Sequence, residues 1–335
     1  MPPTVHSTIS GRRVHRTGAG PRAVALAGVW VAAAVLVALE ALHDIGVIDG
    51  GRTLFEDWVH TIVLVAAAGL ALLYAAVPGR HRPASLAFGA ALAAWAGGDL
   101  WWMAFYEHDP DPPVPSVSDA LWLAWYPLIA FGIALLIRRS VATFHLHRWL
   151  DGVAVMLVVL TPMAALFLQP AAEESDQSTG ATLVNLSYPV LDALVIGGVL
   201  GVYGLIGWHV TRPWLVLGLG CVLMALGDGL FAVQEARSGT VDASYDFTWP
   251  LGALLVALAV RLAVDVPAPR SDEVGWRAIV LPLAAQGLAA AIQVYALFHE
   301  LGDAERFVTL FVLLVAMVQI ILSRPRAPAP DSGAG

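Results

Sequence analysis

The stretch Arg82–Phe105, RPASLAFGAALAAWAGGDLWWMAF, decides the class of fold. From Ala84 to Phe105 it is built from apolar and small residues with a single acid, Asp99, and no base. A helix needs about 20 such residues to cross a hydrocarbon core of roughly 30 Å, where every backbone hydrogen bond must close within the segment. Working outward, nine further segments qualify: Arg22 to Leu42, Trp58 to Val77, Asp119 to Ile137, Trp149 to Leu168, Thr182 to Ile206, Trp214 to Gln234, Tyr245 to Val264, Trp276 to Phe298 and Phe307 to Leu322. The pattern predicts an all-α polytopic membrane helix bundle of about 10 transmembrane helices.

Composition agrees with that pattern. Of 335 residues 58% are hydrophobic and 13% charged, with a mean hydropathy of +0.73, values foreign to a water-soluble domain. The formal charge of −8 excludes a nucleic-acid binder, whose basic face must neutralise phosphates. The one cysteine, Cys221, excludes an intramolecular disulfide and a thiolate metal cluster. No cofactor signature is present.

All 18 basic residues are arginines, and their distribution sets the expected orientation. With the N-terminus inside, Arg12, Arg13, Arg16, Arg22, Arg80, Arg82, Arg138, Arg139, Arg148, Arg212, Arg261, Arg270, Arg277, Arg324 and Arg326 are cytoplasmic, and only Arg52, Arg237 and Arg306 are external. External loops are acidic instead, as at Glu107, Asp109 and Asp111. The expectation is a multi-pass protein of the plasma membrane with both termini cytoplasmic. Residues 1–21 and 324–335 read as disordered tails around a ten-helix domain at 22–323.

An order of residues occurs twice. Arg82-Pro83, Gly98-Asp99, Asp119-Ala120, Pro127-Leu128 and Arg138 return as Arg212-Pro213, Gly227-Asp228, Asp242-Ala243, Pro250-Leu251 and Arg261. The arginine rule starts both series on one side, which predicts a parallel internal repeat, about 58–138 and 182–261, around an axis along the membrane normal.

Four acids stand within segments or at their edges. Asp99 and Asp228 lie roughly 22 Å and 21 Å along their helices, at matching depth; Asp192 is near the middle of its segment and Asp151 near the inner face. An intramembrane acid marks either a proton- or cation-responsive site or a hydrogen bond that glues helices together. Around the outer acids gather Trp101, Trp102, Phe105, Tyr106, Trp122, Trp125, Tyr126, Tyr245 and Trp249. Such rings suit a pocket that cages a cation or amphipathic ligand, or an interfacial aromatic belt. The candidate ligand-binding set is thus Asp99, Trp101, Trp102, Asp119, Trp122, Trp125, Tyr126, Asp192, Asp228 and Trp249. Glu40 with His43 and Asp57 with His60, each three residues apart, form weak candidates for a mixed N,O metal site or ordinary interfacial polar residues. His145 and His147, among arginines, suit contact with anionic lipid.

From about Phe55 to Leu322 the chain resembles the multi-pass membrane input domain of actinobacterial proteins that make or degrade cyclic di-GMP. The resemblance is carried by Gly98-Asp99-Leu100-Trp101-Trp102, by Pro115-Ser116-Val117-Ser118-Asp119-Ala120-Leu121-Trp122 with Tyr126-Pro127-Leu128, by Trp149-Leu150-Asp151-Gly152, by Asn185-Leu186-Ser187-Tyr188-Pro189 with Asp192, and by Gly227-Asp228. In that family the last helix leads into a GGDEF cyclase domain, often with an EAL phosphodiesterase domain. Here about thirteen residues follow the tenth segment, and Gly97-Gly98-Asp99-Leu100 and Glu40-Ala41-Leu42 lie inside apolar helices, where they cannot act as catalytic loops. The resemblance therefore implies an input module without catalytic output, and no enzyme. Its partners would be membrane lipid, a cytoplasmic signalling protein acting in trans and a second copy of itself. A proton-coupled transporter is the alternative expectation.

Overall fold

The computed structural model describes residues 21–109, 111–140, 179–205, 210–238 and 244–264. Their regular structure is entirely helical: α1 (Pro21–Asp44), α2 (Thr53–Ala76), α3 (Arg82–Phe105), α4 (Val117–Ser140), α5 (Thr179–Leu205), α6 (Arg212–Ser238) and α7 (Thr248–Ala263). Helices α1, α2, α4, α5 and α6 are long and apolar enough to cross a membrane. The 24-residue α3 is less hydropathic, because Gly, Trp and Asp99 dilute its alanines, and α7 is apolar over 16 residues. The expected spans at 149–168, 276–298 and 307–322, together with Asp151 and Asp242-Ala243, lie outside the described residues.

Local chemistry sets the helix ends. Helix α1 stops where Gly46 takes φ +75°, and Val47 N–H then bonds Leu42 C=O at 2.8 Å while Gly46 N–H bonds His43 C=O at 2.9 Å. This pair of bonds satisfies carbonyls that the helix leaves open. Pro83 occupies the first turn of α3, where a missing N–H costs nothing. Helix α2 opens earlier than hydropathy predicts, at Thr53, because residues Thr53–Val59 wind as a π-helix before the α-helix proper begins at His60. Helix α7 opens later, at Thr248, with Tyr245, Asp246 and Phe247 in a turn ahead of it.

Six helices close a ring. Helix α2 packs on α3, α3 on α4, α4 on α5, α5 on α6, α6 on α7 and α7 back on α2. Side-chain contacts fix their directions: the starts of α2, α4, α5 and α7 lie at the same end as the finishes of α1, α3 and α6, so α4 runs parallel to α5 and α7 parallel to α2. That end carries Arg52 and Arg237, whereas Arg22, Arg80, Arg82, Arg138, Arg139, Arg212 and Arg261 lie at the other; we call them the arginine-poor and arginine-rich ends. Leu64, Leu70, Leu92, Ile129, Leu217 and Val256 are fully buried between the helices. The α6–α7 crossing is closest at Gly220 and Gly252, where a Cβ on either would lie 2.8 Å from the other's carbonyl oxygen.

Helix α1 lies outside the ring against α2 and α7. Its packed stripe is Leu26, Trp30, Ala33, Val37 and Glu40, spaced four and three residues apart, as a single helical face requires. Val24, Val31 and Val35 on its other faces stay exposed, as expected of a surface that meets lipid. Trp30 adds a hydrogen bond from Nε1 to the Tyr74 hydroxyl at 3.1 Å.

Candidate functional site

Most of the polar side chains buried in the ring lie toward its arginine-poor end. Helix α4 supplies Tyr126, whose hydroxyl lies 3.0 Å from Asp192 Oδ1 on α5 and 3.2 Å from Asp228 Oδ2 on α6. Helix α7 supplies Trp249, whose Nε1 donates to Asp228 Oδ1 at 2.8 Å. In return α5 gives α4 a donor: the Tyr188 hydroxyl bonds Asp119 Oδ1 at 3.0 Å. The other oxygen of Asp119 accepts from Ser116 N–H and Ser116 Oγ at 2.8 and 2.7 Å, which caps the start of α4.

Three of these donors share a sequence context. Tyr126-Pro127, Tyr188-Pro189 and Trp249-Pro250 each place an aromatic donor directly before a helical proline, and each donor reaches a carboxylate on a neighbouring helix. Pro127 and Pro189 stand inside their helices, where each removes one backbone bond, whereas Pro250 stands in the first turn of α7, where the missing N–H costs nothing. The repeated aromatic-proline pair is the sequence signal that would have exposed Tyr188 as part of the site.

Asp99 on α3 completes the centre. It lies near enough to His60, Asp228 and Tyr188 to interact electrostatically with each. The Trp122 indole faces it without reaching hydrogen-bond geometry, so Asp99 Oδ2 and Trp122 Nε1 are both buried without a partner, as is Asp192 Oδ2. Gly98 makes room for this approach, since a Cβ there would fall 2.5 Å from the Trp122 ring. Gly227 does the same for Trp249, at 2.7 Å. Glycine before aspartate thus lets an indole reach the helix in both Gly-Asp pairs.

Beside this centre, the fully buried Glu40 of α1 accepts from His60 Nδ1 at 2.8 Å, and the His60 ring meets Trp249 edge-on at 6.1 Å. The two Glu/Asp–His pairs expected within single helices are therefore resorted. Glu40 joins His60 across helices, and His43 stacks on Phe55 at 4.6 Å and contacts Asp44 at 3.4 Å. Asp57 lies apart, beside Glu107 at the rim. Among the described residues no group of three His, Cys, Asp or Glu is placed to hold a metal ion. Asp44 Oδ2 accepts from Phe247 N–H at 2.8 Å, tying α1 to the turn before α7. Asp246 in that turn, outside the helices, has its carboxyl pushed up to about 7 by burial; nearby Asp44, Glu56 and Glu40 reinforce the shift and His60 opposes it.

The aromatic residues divide. Trp122 and Trp102 approach each other at 5.9 Å near Asp99, and Trp249 and Tyr126 belong to the centre itself. Trp125 is instead core, 2% exposed and edge-on to Trp95 at 5.9 Å. Trp101 points away, 37% exposed and packed on Phe105.

Toward the arginine-rich end the interior changes character. Phe88, Leu136, Leu217, Val260 and Ala263 line a void of about 10 Å³ with His81 and Ser85. His81 Nε2 donates to the Tyr74 carbonyl at 3.3 Å, and the Tyr203 hydroxyl donates to the Trp214 carbonyl at 2.6 Å, so both of these polar groups bond backbone. Compared with protein-family models, curated proteins and solved structures, the chain matches none.

Proposed function

We propose that the chain is a sensory membrane protein whose receiving site is the polar centre in the arginine-poor half of the ring. The observation that carries this reading is the convergence of Asp99, Tyr126, Asp192, Asp228 and Trp249, from five helices, on one centre, while the interior toward the arginine-rich end is mostly apolar. A site built this way answers to one side of the membrane. By the arginine rule that side is external, the arginine-rich loops are cytoplasmic and the membrane is the plasma membrane. A proton, cation or small ligand at the centre shifts helix packing, and the loops around Arg138, Arg212 and Arg261 report it to a signalling enzyme in trans, in keeping with the resemblance to cyclic di-GMP input domains. Such a device needs different affinities in two packings.

In this reading α2–α4 and α5–α7 are the two copies of a parallel repeat. The ring order supports it, because α4 meets α5 and α7 meets α2 in the same parallel sense. A test is crosslinking in the native membrane followed by purification. Recovery of a cyclase, kinase or phosphodiesterase supports sensing in trans; recovery of the chain and lipid alone counts against it.

The position of the centre between the two three-helix units favours a second reading, a proton-coupled transporter, since repeat proteins of that class bind substrate at such an interface. Proton uptake into liposomes that disappears in Asp99→Asn and Asp228→Asn would put this reading first.

A further inference from the structure

We propose that Asp192, Tyr126 and Asp228 form one proton-binding site, in which a single carboxyl proton is shared between α5 and α6 through the tyrosine hydroxyl of α4. This deepens the reading of the centre as a receiving site, and rests on that reading only for what the proton signals.

The argument is an inventory of hydrogens. A phenol has one O–H, yet the Tyr126 oxygen stands 3.0 Å from Asp192 Oδ1 and 3.2 Å from Asp228 Oδ2. It donates to one carboxylate, and the second contact is a hydrogen bond only when the other carboxyl carries a proton and donates to the phenol oxygen. With both acids ionised, one contact would set two lone-pair oxygens against each other in a buried place. The Trp249 N–H already occupies Asp228 Oδ1 at 2.8 Å, so Asp228 is the better-solvated carboxylate and Asp192, with Oδ2 unpartnered and 4% of the residue exposed, is the proton's resting place.

The reverse arrangement needs no outside reactant. The Asp192 O–H bond breaks as its proton passes to the phenol oxygen, and the phenol's own proton passes to Asp228 Oδ2, leaving Asp192 ionised and tyrosine unchanged. The charged and titratable groups facing the site are Asp99 from α3, Tyr188 from α5 and Cys221 from α6, with His60 of α2 behind Asp99 and Asp119 of α4 behind Tyr188; α7 contributes the Trp249 N–H. Any change in their charge moves the shared proton and with it the α4–α5–α6 contacts.

Infrared difference spectroscopy on the full chain in lipid nanodiscs tests this through the carbonyl stretch of protonated carboxyls. The wild type is expected to show such a band at neutral pH that Asp192→Asn removes. Tyr126→Phe is expected to shift the frequency and the titration of that band, because the carboxyl proton loses the phenol oxygen as its partner. A wild type with no protonated-carboxyl band, a band that disappears only in Asp99→Asn or Glu40→Gln, or a Tyr126→Phe profile identical to wild type overturns the proposal. Should Tyr126→Phe not fold, Asp192→Asn and Asp228→Asn, which keep side-chain shape, decide it through the presence or loss of the band. A band that behaves as expected, with no signalling partner recovered, leaves the proton site standing and removes the sensory role.

Discussion

The two halves of the ring solve the same packing problem with opposite materials. Toward the arginine-rich end Phe88, Leu136, Leu217 and Val260 fill the interior by shape, and His81 and the Tyr203 hydroxyl are spent on backbone carbonyls. Toward the arginine-poor end the contacts are carboxylates met by aromatic donors, with Asp99 Oδ2, Asp192 Oδ2 and Glu40 Oε2 left over. Apolar filling is indifferent to protons and costs little to maintain. Buried carboxylates are expensive, so their concentration in one half is where the proposed receiving site would be built at the cost of stability.

Breaking the comparison at its most costly point means removing one member of a buried charged pair. Glu40→Ala leaves His60 buried without its 2.8 Å partner and removes a side-chain tie between α1 and α2. It is expected to cost about 3–5 kcal/mol, the range for breaking such pairs, read as a lowered unfolding midpoint in detergent. In the apolar half, Phe88→Ala is expected to cost about 3 kcal/mol by leaving a cavity. That loss should be the same at acid and neutral pH; a pH-dependent loss would show that the halves are not separate. Tyr126→Phe removes the one hydroxyl that contacts both Asp192 and Asp228 and is expected to cost about 1–3 kcal/mol, with a size that changes with pH.

The smallest effect sharpens the boundary at the rim. The Asp246 carboxyl is held protonated up to about 7, above its ordinary 3.8, so between these values the folded chain binds more protons than the unfolded one. Stability contributed at this residue therefore falls as pH rises from about 4 to about 7 and is level above that. Asp246→Asn should flatten that part of the profile by about 1–2 kcal/mol, since a rim position is partly wetted. An unchanged slope in thermal unfolding between those pH values would contradict it.

Among the described residues, α1, α2, α4, α5 and α6 were legible because length and hydropathy alone force them. Their ends were less so: the π-helical start of α2 recruits Thr53, Glu56 and Asp57, residues that a hydropathy window rejects. Asp99 and Asp228 come close, as their matching depth implies, whereas Asp192, expected nearer the middle of its segment, reaches the same Tyr126 hydroxyl as Asp228, and Asp119 meets Tyr188 beside them. Their partners were not readable, because which helices adjoin is a property of the ring. That is why Glu40 pairs with His60, twenty residues away, in place of His43, and why Trp101 and Trp125, equally aromatic, face outward and into the core. The reciprocal Tyr126–Asp192 and Tyr188–Asp119 bonds likewise depend on α4 and α5 lying side by side.

The central claim is that the polar half receives and the arginine-rich half reports. It is tested most directly by spin-label distances between positions near Arg138 on α4 and Arg212 on α6, measured in nanodiscs at acid and neutral pH. The account predicts a distance distribution that shifts with pH in the wild type and is fixed in the Asp192→Asn, Asp228→Asn double variant. A distribution that stays the same in the wild type, or shifts equally in the double variant, would contradict it.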